Sequence, residues 1–252
     1  MTPYGGIVVA PSSSTKVRDK EEEYSGLAES LCDFLNSEHL DLIRMVNSPA
    51  LVDIRPFIRA GWGSGVYYSY YLNLEGDLDK RVSKEVRSAV RKATKGGIEV
   101  ERPNDSSIFY DLFSMTFERQ GLKPPASREF FDRIIGFLRS SNLGDMWIAR
   151  TTSGDVASAE IFAWDDKRAY RWAAASHTDF RQTGSVSFLL YEVLQDMMAR
   201  GFREVDLMAA STKQLARFIS SFNPELVPLY SLEKKRILFR IAEGLYRMIV
   251  QR

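Results

Sequence analysis

The sequence predicts an α/β fold, and three observations carry that expectation. Residues 168–207 read in order as strand, polar turn, amphipathic helix, glycine stop and strand. Within them, Val186, Leu189, Leu190, Val193, Leu194, Met197 and Met198 recur at the spacing of one helix face. The preceding segment, Arg168 to Ser176, alternates, and an extended chain would set Tyr170, Trp172 and Ala174 on one side.

The remaining elements follow from the same periodicities. Gly6 to Ala10 reads as a short strand and Pro11 to Thr15 as a serine-rich turn. Lys20 to Ser37 places Tyr24, Leu27, Leu31, Phe34 and Leu35 on one helix side. Leu40 to Val46, Ile54 to Ala60 and Val66 to Leu72 read as strands, the last two separated by a glycine-rich loop, Gly61 to Gly65. Asp79 to Lys95 reads as one basic helix whose narrow apolar stripe is Val82, Val86, Ala89, Val90 and Ala93.

Ile98 to Glu101 is a strand, and Ser106 to Gln120 and Ser127 to Ser141 are helices. Ser127 caps the second, whose Phe130, Phe131, Ile134, Ile135 and Leu138 face inward. Met146 to Thr151 and Val156 to Trp164 are strands. Gly201 stands where a left-handed C-terminal cap falls, and Arg203 to Leu207 resumes as strand. Gln214 to Phe222 is a short helix that Pro224 stops, and Leu226 to Leu232 is the final strand. Glu233 to Arg252 is a basic amphipathic helix with Ile237, Leu238, Ile241, Leu245, Met248 and Ile249 on its apolar face.

Composition narrows the class. The 252 residues are 44% hydrophobic and 12% aromatic, enough for one large core or two moderate ones. A net charge of +1 gives no whole-molecule attraction for nucleic acid. One cysteine excludes an internal disulfide and fits a reducing compartment, and no signal pattern follows Met1, so a cytoplasmic location is expected. Two histidines and that one cysteine do not make an ordinary zinc ligand set, so no metal is expected. Cys32 falls in a helical apolar pattern, which suits packing rather than nucleophilic chemistry.

Chemistry concentrates in the turn Arg181-Gln182-Thr183-Gly184-Ser185, where a helix begins. A helix mouth presents unpaired N–H groups and about half a positive charge, which suits a phosphate. Gly184 lets an anion approach the backbone, and Thr183 or Ser185 can cap the helix or donate a hydroxyl. The same residues also suit an ordinary crossover turn.

This turn, with the strand before it and the strand after its helix, resembles the acyl-CoA-binding core of the GNAT N-acyltransferase superfamily. There an Arg/Gln-x-x-Gly-x-Gly/Ala turn holds the coenzyme A pyrophosphate, and here the pattern is met at Arg181 or Gln182 and at Gly184, loosely thereafter. Other stretches resemble the Fem-type or BioF2-like branch, built from tandem GNAT-like domains. They are Thr2 to Gly6, Arg87 to Val100, Phe109 to Leu112 with Arg119-Gln120-Gly121, Gly201 to Leu207, and Leu215 to Phe222. The resemblance implies a tandem GNAT-like fold with residues 1–79 as a partial first half, 80–97 as a connecting basic helix, 98–232 as a complete acyltransferase domain, and 233–252 as a terminal helix. The first half then begins mid-domain, with a truncated reading frame or another subunit covering its sheet edge.

The implied activity is N-acyl transfer from acetyl-CoA or another acyl-CoA to an amine of a sugar, amino acid or cell-envelope precursor. Donor contacts fall on Ala174 and Ser176 of the central strand and on Arg181, Gln182, Thr183, Gly184 and Ser185. Transfer to an amine asks for a proton acceptor, donors for the carbonyl oxygen and an acid for the departing sulfur. Glu160, a carboxylate in an apolar strand, is the expected base. Asp206 is expected to orient substrate or hold a loop, and Tyr230 to act as the acid or to sit in the core. Two alternatives stay open. One is aminoacyl-tRNA-dependent peptidyl transfer using the basic helix on a tRNA; the other is a non-catalytic scaffold of envelope or polysaccharide assembly. Where many Fem-type relatives carry Phe-Lys in the short helix, this chain has Phe218-Ile219-Ser220, which weakens the tRNA-dependent alternative. Homodimerisation and contact of the terminal helix with an anionic membrane are the partner expectations.

Overall fold

The computed structural model describes residues 4–119, 121–208 and 212–250. Thr2, Pro3, Gln120 and Arg252, named above, lie outside the described residues. In chain order the elements are α1 (Val17–Ser37), β1 (Leu42–Val46), α2 (Arg55–Arg59), β2 (Gly63–Asn73), α3 (Leu78–Arg81), α4 (Lys84–Lys95), β3 (Glu99–Glu101), α5 (Ser107–Glu118) and α6 (Arg128–Ser140). They continue with β4 (Gly144–Arg150), β5 (Val156–Trp164), β6 (Ala169–Ser176), a 3-10 turn (Thr178–Thr183), α7 (Ser185–Ala199), β7 (Glu204–Asp206), α8 (Lys213–Ser220), β8 (Glu225–Lys235) and α9 (Ile237–Val250). The chain forms two compact units, Met1–Tyr68 with Val227–Arg252, and Ser69–Leu226.

In the first unit β1 runs antiparallel to β8, from Leu42 opposite Lys235 to Val46 opposite Ser231. Its core is Ala28 and Cys32 of α1 with Phe57, Trp62 and Leu232. Residues 54–60 are not the expected strand. Pro56 stands in the first turn of α2, where its missing N–H costs nothing, and Phe57 is buried. Gly6 to Ala10 forms no strand either. Gly5 N donates to Val46 O, but Ile7 N donates to Asn47 Oδ1, so a side chain replaces the next rung of the ladder. The terminal helix starts later than expected because β8 runs on through Glu233, which pairs with Arg44, and Lys235, which pairs with Glu233 and Glu243. Ile237, Leu238, Ile241 and Tyr246 of α9 are exposed, whereas the side chains of Leu245, Met248 and Ile249 lie outside the described residues.

The second unit positions the candidate site. Its strands run in the order β2-β7-β6-β5-β4-β3, antiparallel except for β6 beside β7. Successive residues of β4 enter different cores, as the two-residue period of a strand requires. Met146 and Ile148 pack with Phe109 of α5 and Phe131 and Ile135 of α6, while Trp147 and Ala149 pack with Leu190, Val193 and Leu194 of α7 and Val86 and Ala93 of α4.

The basic helix is broken in two. Ser83 Oγ accepts from Val86 N to cap α4, its own N–H donates to Ser221 O, and Val82 stays extended. Arg87 is tied to the carbonyls of Asp79 and Val82, so it is no free surface cation.

The central strand also departs from simple alternation. Ile161 lies opposite Ala173 but Phe162 lies opposite Arg171, so Trp172 is the extra residue of a β-bulge. The bulge turns Trp172 toward the α5–α6 core, 6.0 Å from the Phe131 ring, beside Ala173. Arg171 joins Phe162 on the α7 side. The expected common face of Tyr170, Trp172 and Ala174 is therefore lost at the bulge, and Ala174 lies opposite Glu160 instead.

Candidate functional site

Among the described residues, β6 pairs with β7 only at Ala169 and Tyr170. Beyond Tyr170 it keeps β5 as its neighbour through Ser176, and its other edge is left without β7. A cavity of about 480 Å³ opens beside this unpaired edge, within the second unit. Its walls are Ala174, Ala175 and Ser176 of β6, the start of α7 at Gly184, Val186 and Ser187, and Thr116 and Arg119 at the end of α5. Thr212, Gln214, Leu215 and Phe218 bring in α8.

The turn before α7 is built by its own residues. Gly184 takes φ 85°, in the left-handed region, and Thr183 Oγ1 accepts from Ser185 N. A Cβ at Gly184 would collide with the carbonyl of Ala89 on α4, so both backbone conformation and packing demand glycine. Phe188 N donates to Gly184 O, the first intrahelical bond, which leaves the N–H groups of Val186 and Ser187 in the unpaired first turn. Both residues line the cavity. Two exposed guanidiniums flank this mouth. Arg181 lies on the 3-10 turn, and Arg119 donates to Thr178 Oγ1 where that turn starts. Oriented N–H groups, a helix N-terminus and two cations make an anion-binding rim. Those features fit the phosphates of a coenzyme A thioester, with the unpaired β6 edge free to bond an extended amide chain.

Deeper in the cavity, Glu160 and Arg171 form a bidentate pair. Arg171 Nε donates to Glu160 Oε2 at 3.0 Å and Nη2 to Oε1 at 2.6 Å. Glu160 is 1% exposed and Arg171 7%, yet both line the cavity. The Arg171 guanidinium also stands 5.8 Å from the centre of the Phe218 ring.

Of the residues assigned to the donor from sequence, Ala174, Ser176, Arg181 and Gly184 line the cavity. Gln182, Thr183 and Ser185 do not. Thr183 works as a cap, and Ser185 Oγ is buried with no hydrogen-bond partner among the described residues. Asp206 is fully buried outside the cavity, where it accepts from Ser69 Oγ at 2.5 Å and Met208 N at 2.8 Å. Tyr230 belongs to the first unit, half-buried on β8, with its carbonyl accepting from Asn47 N. His177 Nδ1 accepts from Asp179 N and opens the 3-10 turn. Sequence reasoning missed Arg171, Arg119 and the α8 wall. Only the bulge, which no alternation reveals, brings Arg171 to Glu160. No group of His, Cys, Asp and Glu among the described residues suits a metal ion, and none of the described helices is long and apolar enough to cross a membrane.

Sequence comparison identifies the family that carries this site. Residues 80–213, more than half of the chain, match the acetyltransferase (GNAT) domain family, and the protein belongs to it. That family is one of acetyltransferases, so acyl transfer is the class of chemistry it implies. Solved structures share the fold at low identity. FemX is 13% identical with a TM-score of 0.65, covering 83% of this chain and 76% of its own. L-PGS from Bacillus licheniformis is 12% identical with a TM-score of 0.60, covering 92% and 80%. A tandem GNAT protein from the clavulanic acid biosynthesis pathway is 11% identical with a TM-score of 0.56, covering 88% and 71%. No curated protein matches the chain.

Proposed function

We propose that the protein is an acyl-CoA-dependent N-acyltransferase of the Fem-type or BioF2-like branch, with its site in the second unit. The observation that carries this reading is the cavity where β6 leaves β7 under the open N-terminus of α7. Arg181, Arg119 and the N–H groups of Val186 and Ser187 would hold the donor phosphates. Backbone groups of Ala174 to Ser176 would hold the donor's amide chain and thioester oxygen.

An amine entering beside Glu160 meets a fixed carboxylate that receives its N–H. Glu160 takes a proton from the ammonium, the freed nitrogen lone pair attacks the thioester carbon, and a second N–H proton is lost to solvent as the amide forms. The C–N bond forms, the C–S bond breaks, and coenzyme A departs as the thiol after taking a proton from solvent. Asp206 would fix the chain leaving β7 by its bond to Met208 N. Tyr230, on β8 of the first unit, is assigned no step in this scheme.

Calorimetric titration with acetyl-CoA tests the reading. Wild-type protein is expected to bind at micromolar levels, and Arg181→Glu to weaken binding about tenfold or more by reversing a phosphate contact. Absence of heat in the folded wild-type chain would refute it. One observation favours the tRNA-dependent alternative: α4, with exposed Lys84, Arg91, Lys92 and Lys95, lies against the Gly184 turn. That alternative requires tRNA binding that falls steeply with salt.

A further inference from the structure

Transfer to a plain amine needs a proton acceptor and donors for the oxyanion. This cavity holds something more, a guanidinium buried beside that acceptor. A guanidinium has five N–H donors. Arg171 gives Nε and Nη2 to Glu160, and Nη1 has no hydrogen-bond partner among the described residues. Glu160 has no other described partner, so its oxygens keep lone pairs free.

Packing does not explain the pair. A buried ion pair is commonly no more stabilising than apolar side chains of the same size, and the surrounding face, with Trp147, Phe162 and Leu190, is apolar. The fold also gives up regular pairing to place Arg171 there, since if Trp172 kept regular pairing opposite Phe162 the alternation of β6 would turn Arg171 to the α5–α6 face with Ala173. Nor is Arg171 suited to the donor phosphates, because Arg119 and Arg181 flank the α7 mouth in solvent while Arg171 lies 7% exposed next to Glu160. A negative and a positive group fixed side by side, each with unused hydrogen-bonding capacity, complement a ligand that carries both charges.

We propose that the acceptor is an amino-acid-type zwitterion whose ammonium is received by Glu160 and whose carboxylate is held by Arg171 Nη1. This assignment rests on the acyl-transfer reading of the cavity. An amino sugar would leave Nη1 unpaired in a desolvated site, and a polyamine would place surplus positive charge against three guanidiniums, Arg119, Arg171 and Arg181.

The test compares matched acceptors. Wild-type protein with acetyl-CoA is assayed for thiol release against a set of L-amino acids, their carboxamides and glucosamine. The preferred amino acid is expected to exceed its carboxamide in kcat/KM by about tenfold or more, the loss of one charge-assisted contact. Arg171→Gln should abolish that ratio and Arg171→Lys should restore part of it. Because Arg171→Gln leaves Glu160 buried without its partner, the double variant Glu160→Gln/Arg171→Gln and thermal melts accompany it. The wild-type comparison needs no variant at all. Equal use of carboxamides or glucosamine, or a ratio that survives Arg171→Gln, would overturn the proposal. So would acetyl-CoA binding with no amino acid acetylated or bound at millimolar concentration. If acetyl-CoA itself fails to bind, the acyl-transfer reading falls. Calorimetry of amino acids against carboxamides then decides the recognition claim, and equal or absent binding of both overturns it.

Discussion

The two faces of the sheet in the second unit are built from one set of strands and used differently. Against α5 and α6 the contacts are a continuous apolar layer, in which the rings of Phe109, Phe113, Phe131 and Trp172 pack, mostly tilted or edge-on, at centroid distances of 4.9 to 6.0 Å. Against α7 and α4 the layer is equally apolar around Leu189, Leu190 and Val193, but it ends at an ion pair and a cavity. A single bulge makes the difference. It moves Trp172 into the first layer and Arg171 onto the second face, so one inserted residue supplies both an aromatic anchor and a buried charge. On the proposed reading, stability and chemistry are thereby divided between opposite faces of one strand.

Perturbing each face separately sharpens that contrast. The largest effect is expected at Phe131, which is 1% exposed in the aromatic layer. Phe131→Ala should cost about 3–5 kcal/mol in denaturant titration, while any protein that remains folded keeps its affinity for acetyl-CoA. Loss of affinity in that folded fraction would blur the division. Next comes Gly184→Ala, which combines a left-handed backbone with a collision against the Ala89 carbonyl. A loss of about 1–3 kcal/mol is expected, and here weakened donor binding should accompany it, since the turn is part of the cavity.

The smallest effect concerns Glu192, half-buried on α7, whose carboxyl is held above its usual range by burial. A raised carboxyl pKa favours the folded state below the unfolded value of about 4.5, and that advantage is lost as pH rises through the folded value. Glu192→Gln should therefore raise the melting temperature slightly at pH 7 and leave it unchanged at pH 4. A variant with the same increment at both pH values would assign the gain to something other than charge burial.

Much of this architecture was legible in the sequence because its signals are local. The apolar stripe of α7, the Ser127 cap of α6 and the left-handed Gly201 each follow from a few neighbouring residues. Ile54 to Ala60 misled because a short apolar run fits a strand or a helical turn equally, and only the position of Pro56 decides for the turn. The division of Asp79 to Lys95 turns on Ser83, whose capping bond competes with continued helix.

The candidate site was half legible. The Gly184 turn is a contiguous motif, so its place at the cavity could be anticipated. The Glu160–Arg171 pair depends on register between strands, and the run Ala169 to Ser176 does not say which residue is the extra one. Three small residues, Ala173 to Ala175, follow Trp172 and impose no preferred face of their own.

The central claim, that one face of this sheet holds the donor while the other only supports it, is tested most directly by backbone hydrogen exchange with and without acetyl-CoA. Slowed exchange is predicted in the segment 174–187, covering the unpaired edge of β6 and the first turn of α7, with 109–138 of the α5–α6 layer unchanged. Unchanged exchange over 174–187 under saturating acetyl-CoA, or protection confined to 109–138, would contradict it.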